Sequence, residues 1–250
     1  MGADEELARS LARLAGSWYL PDAEEVRRRI TAAAPALVPG CEQSAISLLD
    51  RHGGIVPVAA TAEAAARAGR IQHETGSGPG LDAVRLRPVC RVGDLLLDEH
   101  WPETSRRIAR ETGIRCLLAV RLAAGDDVLG ALNLYARAPY ALGAAAETRA
   151  GLLCSHAALA LAATDCRRTC AELRDALRSS RSIGIALGIV MAQRRVTPDE
   201  AFAVVRRCAQ RQHRKVREVA ADIVLTGEIP DARRPAPAAR TPASAGDLLS

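Results

Sequence analysis

The chain has 250 residues, 48% of them hydrophobic and 25% charged, a composition typical of a globular protein with one or two domains. No run of about 18 apolar residues occurs and the N-terminus is acidic, which excludes a membrane span and a secretory signal and predicts a cytoplasmic protein. The net charge of +5 is uneven, because residues 1–166 hold 18 basic and 20 acidic residues while residues 167–230 hold 13 and 7.

After an N-terminal extension over 1–23, residues 24–165 mix strands with helices. Short apolar runs bounded by turn residues predict five strands, at 45–49, 55–60, 89–92, 116–122 and 128–135. Helical spacing predicts three helices, at 24–38, 61–72 and 102–112. The glycine-rich stretch Thr75–Gly80 lacks the Lys-Ser/Thr ending of a phosphate loop and is predicted to be a flexible surface loop. This order of elements predicts an α+β domain with an antiparallel sheet.

From about Ala144 the pattern becomes helical, with two series of residues that recur every seven positions. One series is Leu152, Leu159, Cys166, Leu173, Ser180 and Leu187, and the other is His156, Ala163, Cys170, Leu177, Gly184 and Met191. We call these residues the seam. They predict a long helix that forms a homodimer with a second copy over 150–191. The alternative is a helix that packs on its own domain only.

Two short helices are predicted to follow within 166–230. Thr197, Pro198 and Glu200 form a start signal, because threonine caps, proline suits the first helical position and glutamate completes a capping box. Apolar spacing predicts the buried faces of the two helices, which comprise Phe202, Val205 and Cys208 or Ala209, and then Val216, Val219, Ala220 and Ile223. Gly227 ends the last helix. The Pro- and Ala-rich tail, 231–250, is predicted to be disordered.

The sequence carries no signal for catalysis or metal binding. The seven cysteines are scattered and odd in number, which favours reduced, buried thiols in a protein that is not exported. Cys166 and Cys170 lie near His156, but no ligand spacing accompanies them, so we predict no metal site. No nucleophile elbow, Walker loop or zinc-protease motif occurs, so we predict no enzyme activity, no catalytic residue and no cofactor.

Positive charge concentrates on the last two predicted helices. Eight residues are the candidate nucleic-acid contacts: Arg194, Arg195, Arg206, Arg207, Arg211, Arg214, Lys215 and Arg217. A guanidinium can donate two hydrogen bonds to one phosphate, so this segment predicts nucleic-acid binding, with a merely solvated face as the alternative. A three-helix basic unit also fits DNA, and the residues alone leave DNA and RNA open. Phe202 is assigned to the core, so no aromatic stacking surface is predicted.

Residues 171–230 resemble an ANTAR domain, an RNA-binding antitermination module. Four segments carry the resemblance: RSIGIALGIVM at 181–191, TPDEAF at 197–202, KVREVA at 215–220 and TGEIP at 226–230. Residues 38–163 resemble the GAF domain that precedes ANTAR in many actinobacterial regulators. That second resemblance rests on AISLL at 45–49, GPGLDA at 78–83, VGDL at 92–95 with Trp101-Pro102, and LGALNLY at 129–135.

The resemblance implies a GAF sensor domain joined by a long helix to an all-α, three-helix ANTAR domain. It implies a dimeric antitermination regulator that binds paired hairpin loops of nascent RNA, with the GAF domain sensing a small ligand or a protein partner. The positions matching the ANTAR motif, expected to be structural, are Ala186, Gly188, Met191, Ala201, Phe202, Val205 and Ala220. The alternatives are a DNA-binding transcription factor and a GAF signalling adaptor that binds no nucleic acid.

The sequence departs from the family pattern at four positions. Gly80 stands where the family has a cysteine, Leu187 where it often has a lysine, and Ala209 and His213 where it tends to have serine and asparagine. Small residues at 186 and 188 are expected to let helices approach closely. Lys215 and Arg217 match the basic start of the last helix and are the expected phosphate or loop contacts.

Overall fold

The computed structural model describes residues 22–230, together with residues 9 and 12. It divides into two compact units: the first unit ends at Thr169 and the second unit begins at Cys170. The predicted N-terminal extension and the predicted disordered tail lie outside the described residues, apart from residues 9, 12, 22 and 23.

The first unit is built on a five-stranded antiparallel sheet with the order β2-β1-β5-β4-β3. The strands are β1 (Gln43–Leu49), β2 (Ile55–Ala60), β3 (Val89–Val92), β4 (Cys116–Ala124) and β5 (Asp127–Ala136). The helices are α1 (Ala23–Leu37), α2 (Glu63–Thr75), α3 (Pro79–Arg85), α4 (Pro102–Thr112) and the first part of α5 (Ala144–Arg194). The predicted α+β fold with an antiparallel sheet is confirmed, and all five predicted strands are present.

Helices cover both faces of this sheet. Successive side chains of a strand point to opposite faces, so Leu117 and Leu118 of β4 enter two different cores. The core on the Leu118 side is completed by α1 and by α5, which contributes Leu153 and Leu161. The core on the Leu117 side is completed by α2, α3 and α4.

The stretch predicted to be a flexible surface loop, Thr75–Gly80, is helical at both ends and packs inside. α2 runs through Thr75 and α3 begins at Pro79, where proline suits the first turn, so residues 76–78 alone connect the two helices. Pro79 and Gly80 are buried, and the Gly80 N–H donates a 2.7 Å hydrogen bond to Gln72 Oε1. The prediction was wrong because packing against the sheet overrides the local preference of glycine for loops.

The long helix is confirmed as α5, which has 51 residues. Within the first unit it turns Leu153 and Leu161 toward the core, while the seam residues Leu152 and Leu159 are each about half exposed. The side of α5 that carries the seam therefore faces away from the core of its own unit.

The second unit consists of the remainder of α5 with α6 (Pro198–Arg211) and α7 (Val216–Thr226). Its core is formed by Ala186, Val190, Ala201, Val204, Val205, Ala209, Val219, Ala220 and Ile223. The predicted capping box is present, because the Glu200 N–H donates to Thr197 Oγ1 (3.4 Å) and the Thr197 N–H donates to Glu200 Oε2 (2.9 Å). Gly227 ends α7 with a φ of +70°, as predicted.

Phe202 is 41% exposed, which contradicts its assignment to the core. Ala201, Val204 and Val205 already fill the inward side of α6, and Phe202 lies about 100° around the helix from Ala201.

The seam also ends earlier than predicted. Leu187 and Met191 are partly buried against the three-helix core of the second unit, whereas Gly184 is exposed. The exposed part of the seam therefore extends from Leu152 to Gly184, because beyond that point α5 turns the same side toward α6 and α7.

Candidate nucleic-acid interface and ligand pocket

All eight cationic residues predicted to contact nucleic acid are exposed on the second unit. Within the described part of the chain, the charged side-chain nitrogens of seven of them have no carboxylate oxygen within 4.0 Å: Arg194, Arg195, Arg206, Arg207, Arg211, Lys215 and Arg217. A charge without an intramolecular counterion keeps its full attraction for a polyanion, so this surface is open to phosphate.

Arg214 is the exception among the eight. Its Nη1 lies 2.6 Å from Asp222 Oδ2, and its Nε lies 3.8 Å from Glu218 Oε2. The hydrogen bond with Asp222 raises the pKa of Arg214, as expected for a cation held by a carboxylate. This guanidinium joins the α6–α7 connection to α7, and its charge is largely compensated.

Three of the uncompensated cations meet where α6 passes into α7. Arg211 ends α6, Lys215 immediately precedes α7, and Arg217 lies in the first turn of α7; we call these three residues the basic corner. The connection is tight, because the Arg214 N–H donates to the Ala209 carbonyl (3.0 Å) and His213 has a φ of +51°. The N-terminus of α7 already holds a carboxylate, because Glu218 accepts the Lys215 N–H at 3.3 Å, so the attraction for phosphate here comes from the three side-chain charges.

Lys215 and Arg217 also line an open groove of about 750 Å³ beside α5. The α5 wall supplies the hydroxyls of Ser179 and Ser180, together with two acidic residues, Glu172 and Asp175. Hydroxyls can hydrogen-bond to bases or ribose, so the groove suits a base or a sugar.

The outer surface of α6 offers two further pairs of residues at helical spacing. Arg207 and Arg211 are four residues apart and share one side of the helix, and so do Phe202 and Arg206. An exposed aromatic ring beside an arginine is the arrangement on which an unpaired base can stack. Sequence reasoning missed this role for Phe202. The signal for its exposure was that four other apolar residues of α6 form a complete buried face at helical spacing: Ala201, Val204, Val205 and Ala209.

The end of α5 holds the remaining two cations in a fixed turn. Arg195 has a φ of +54°, and its N–H donates to the Met191 carbonyl at 2.8 Å. The Gln193 side chain donates a 2.7 Å hydrogen bond to the Gly227 carbonyl, which ties this turn to the end of α7. Arg194 and Arg195 are thus presented from an ordered connection.

The seven residues that match the ANTAR motif differ in burial: four are buried, Met191 is partly buried, and Gly188 and Phe202 are exposed. Ala186, Ala201, Val205 and Ala220 are fully buried in the three-helix core. Gly188 is exposed, and a Cβ added there would meet no atom within 4 Å. The expectation that a small residue permits close helix approach therefore fits Ala186, whereas none of the described residues approaches position 188 closely enough to require glycine.

The first unit contains a polar pocket between the sheet, α2 and α3. Its lining residues are Ser47, Ile55, Pro57, Gly69, Gln72, His73, Gly80, Leu81 and Asn133. Asn133 is 1% exposed, and neither atom of its amide group has a hydrogen-bond partner in the described part of the chain. A buried polar group left in that state costs about 1–3 kcal/mol, so the pocket is suited to a polar partner.

The pocket is small in this conformation. Its volume is about 10 Å³, enough for a single water molecule. Pockets for small organic ligands occupy roughly 300–1,000 Å³. A ligand larger than water would therefore require α2 or α3 to move away from the sheet.

The cysteines divide by burial. Cys41, Cys90, Cys116 and Cys154 are buried, and burial raises the pKa of the Cys41 thiol to about 12. Cys166 and Cys170 are exposed, so the prediction of buried thiols is wrong for them. Both lie on α5 between Leu161, the last residue of this helix in the first core, and Ile183, the first residue of this helix that packs against the second core.

No cluster of three or more metal-ligating side chains occurs among residues 22–230, and no helix in that range is long and apolar enough to cross a bilayer.

Comparison with known proteins assigns both units to families. A GAF domain matches residues 21–162, and an ANTAR domain matches residues 171–224. A search among curated proteins gave no significant match.

Solved structures resemble the first unit. The GAF domain of a phosphoenolpyruvate-protein phosphotransferase from Coxiella burnetii has 14% identity and a TM-score of 0.53, over 68% of this chain and 99% of that chain. The cyanobacteriochrome TePixJ GAF domain has 19% identity and a TM-score of 0.51, over 60% and 94%. The free methionine-R-sulfoxide reductase from Neisseria meningitidis, solved with its substrate, has 15% identity and a TM-score of 0.50, over 65% and 90%. At these identities the likeness establishes the fold alone.

Proposed function

The chain belongs to the GAF-domain family and carries an ANTAR domain behind its GAF domain, and from this premise we propose that it is an RNA-binding antitermination regulator of the type found in actinobacteria. ANTAR domains are RNA-binding antitermination modules, and GAF domains sense small ligands. In our proposal the ANTAR domain binds hairpin loops of nascent RNA, and the GAF domain controls that binding in the compartment where transcripts are made.

The observation that carries the proposal is the group of uncompensated cations on the second unit. Seven exposed basic side chains have no carboxylate partner in the described residues, and three of them form the basic corner. A protein that neutralises phosphates releases counterions, so this surface supplies affinity for any nucleic acid. Preference for RNA loops requires unpaired bases, for which the Phe202–Arg206 pair and the hydroxyl-lined groove are suited.

Binding of this kind acts on transcription by shifting an equilibrium between two RNA folds. A protein that holds the loops of one hairpin stabilises it against an overlapping terminator hairpin, by an amount set by its differential affinity for the two.

We assign the ANTAR domain a dimeric state formed through the exposed seam of α5. Leu173 and Leu177 are 59% and 71% exposed, although they lie at seam positions, and they continue the half-exposed Leu152 and Leu159. A second copy of the same helix would cover these leucines with a matching seam. A dimer also presents two basic corners, as paired hairpin loops require.

We assign ligand sensing by the GAF domain to the polar pocket. Asn133 offers an amide donor and an acceptor that are unpaired among residues 22–230, and Gln72 also lines the pocket. A ligand that hydrogen-bonds to Asn133 would stabilise the conformation in which α2 and α3 stand away from the sheet.

We further propose that the chain has no catalytic activity of its own. The four buried thiols are poor nucleophiles, because burial raises the pKa of each.

A binding measurement tests the RNA assignment. The wild-type chain, Lys215→Gln/Arg217→Gln and the matched surface control Arg85→Gln are titrated with a hairpin RNA and with duplex DNA of the same stem sequence. We expect tighter binding to the hairpin than to the duplex. A plot of the logarithm of the association constant against the logarithm of the salt concentration should fall with a slope of about −0.7 for each phosphate neutralised. The double variant should give a shallower slope, and Arg85→Gln should give the slope of the wild type.

Equal or tighter binding to the duplex would instead support the DNA-binding alternative. Absence of binding to either nucleic acid at low salt would support the alternative of a GAF adaptor that binds a protein. An unchanged affinity for Lys215→Gln/Arg217→Gln would rule out the basic corner as the contact surface.

A further inference from the structure

Two of the seven cysteines stand at seam positions of α5 and are exposed. Cys166 and Cys170 belong to the two heptad series and are followed by the exposed leucines Leu173 and Leu177. The remaining thiols are unsuited to contact another molecule, because four are buried and Cys208 is half-buried with its thiol 3.4 Å from the Pro230 carbonyl. The exposed thiols are thus both on α5, four residues apart.

The arginines beside the seam indicate how a second copy would lie on that surface. Arg174 and Arg181 each occupy the position that directly follows a residue of the Leu152 series. In an antiparallel pair of helices, these flanking positions face the equivalent positions of the second copy, so that arginine would lie opposite arginine. In a parallel pair they face the other flanking series, which contains the uncharged residues Ala162, Thr169 and Ala176. Charge repulsion therefore favours the parallel arrangement.

In a parallel, in-register pair each seam residue faces its own copy across the two-fold axis. Packed helices are about 8–10 Å apart, and Cα atoms lie about 2.3 Å from each helix axis. Residues at the contact then have Cα atoms roughly 5 Å apart, inside the range of about 4.4–6.8 Å that a disulfide requires. Cys166 and Cys170 each meet this requirement with the same residue of a second copy.

A bridge between Cys166 and Cys170 of one chain is less favourable. Side chains four residues apart on a helix have Cβ atoms about 5–6 Å apart. A disulfide needs about 3.5–4.5 Å between its Cβ atoms, so an internal bridge would distort α5.

We propose that Cys166 and Cys170 are oxidisable sites that join two copies of the chain covalently, so that the regulator responds to peroxide. A thiolate attacks hydrogen peroxide, forms a sulfenic acid and releases water; the thiol of the second copy then displaces a second water and closes the disulfide. Two thiols are oxidised and one peroxide is reduced to two waters, so atoms and electrons balance. The inference rests on the dimer of the proposed function.

The covalent link changes how the dimer responds to dilution. A reversible dimer dissociates as its concentration falls, whereas a disulfide keeps the second basic corner at high effective concentration near the first. Oxidation should therefore preserve binding to paired RNA loops at protein concentrations where the reduced chain is monomeric.

Non-reducing electrophoresis of the full chain tests the proposal. After treatment with hydrogen peroxide, the wild type should give a band at twice the 26.5 kDa monomer mass, which dithiothreitol removes. Cys166→Ser/Cys170→Ser should lose this band, and the matched control Cys208→Ser should keep it. Peptide mapping of the band should identify Cys166 joined to Cys166 of the second copy, or Cys170 joined to Cys170.

Four outcomes would overturn the proposal. The band could persist in Cys166→Ser/Cys170→Ser, or mapping could show a Cys166–Cys170 bridge within one chain. The third outcome is that the reduced chain sediments as a dimer but gives no crosslinked band after oxidation. This result would refute the disulfide and would still support the dimer. A reduced chain that is monomeric at all concentrations would refute the dimer itself, while hairpin RNA binding by that monomer would show the rest of the proposed function to be sound.

Discussion

Replacing Gly80 with alanine probes how tightly the GAF pocket is closed. A Cβ at this position would lie 2.4 Å from Asn133 Oδ1 and 3.0 Å from Gln72 Oε1. Ordinary contacts begin near 3.4 Å, so the Asn133 amide would have to move by about 1 Å in a site with little more room than one water. Overpacking of this kind costs about 1–3 kcal/mol, and in a chain of this size each kcal/mol lowers Tm by about 2–4 °C.

Thermal unfolding of three variants isolates this contact. Gly80→Ala should lower Tm, whereas Gly151→Ala, a helical position of the same unit where a Cβ meets nothing within 4 Å, should raise stability by about 0.5–1 kcal/mol. Asn133→Ala added to Gly80→Ala should recover most of the loss, since it removes the 2.4 Å contact. A neutral or stabilising Gly80→Ala would refute the closed pocket.

Three further predictions concern other parts of the molecule. Arg195→Gly should stabilise the second unit by about 1 kcal/mol by relieving its positive φ, yet weaken RNA binding; loss of stability in thermal unfolding would contradict this. Phe202→Leu should leave Tm almost unchanged and reduce affinity for hairpin loops but not for duplexes in the same binding assay. The hydrogen bonds from Arg115 are the main cause that lowers the pKa of Asp94. Ionised Asp94 should therefore stabilise the fold above its unfolded pKa of about 3.9, and this contribution should be lost as the pH falls through the lower folded pKa. The Tm of Asp94→Asn should accordingly fall less at acid pH than the Tm of the wild type.

Local patterns predicted the elements of this chain well where periodicity was strong. The five strands, the long helix and the capping box at Thr197 follow from alternation, heptad spacing and capping chemistry, all of which are encoded by neighbours in sequence. Thr75–Gly80 was predicted wrongly because the burial of Pro79 and Gly80 depends on packing against a sheet formed by residues distant in sequence. The exposure of Phe202 likewise depends on which side of α6 the other two helices occupy.

The candidate site was only partly predictable for the same reason. Charge clustering located the basic residues, but whether each cation is compensated depends on the turn of α7 that brings Asp222 to Arg214. Cys166 and Cys170 are exposed because they lie on α5 between Leu161 and Ile183, outside the core clusters of the described residues. Heptad spacing marked both positions, but the expectation of buried thiols came from the count of cysteines and not from their places on the helix.

The central claim is that the second unit recognises hairpin loops of RNA through its uncompensated cations, and crosslinking in living cells tests it most directly. RNA crosslinked to the full chain should, when sequenced, map to paired hairpins that overlap terminators, and the crosslinked peptides should lie within residues 194–217. Recovery of DNA, of RNA without such hairpins, or of crosslinks confined to the first unit would contradict the claim.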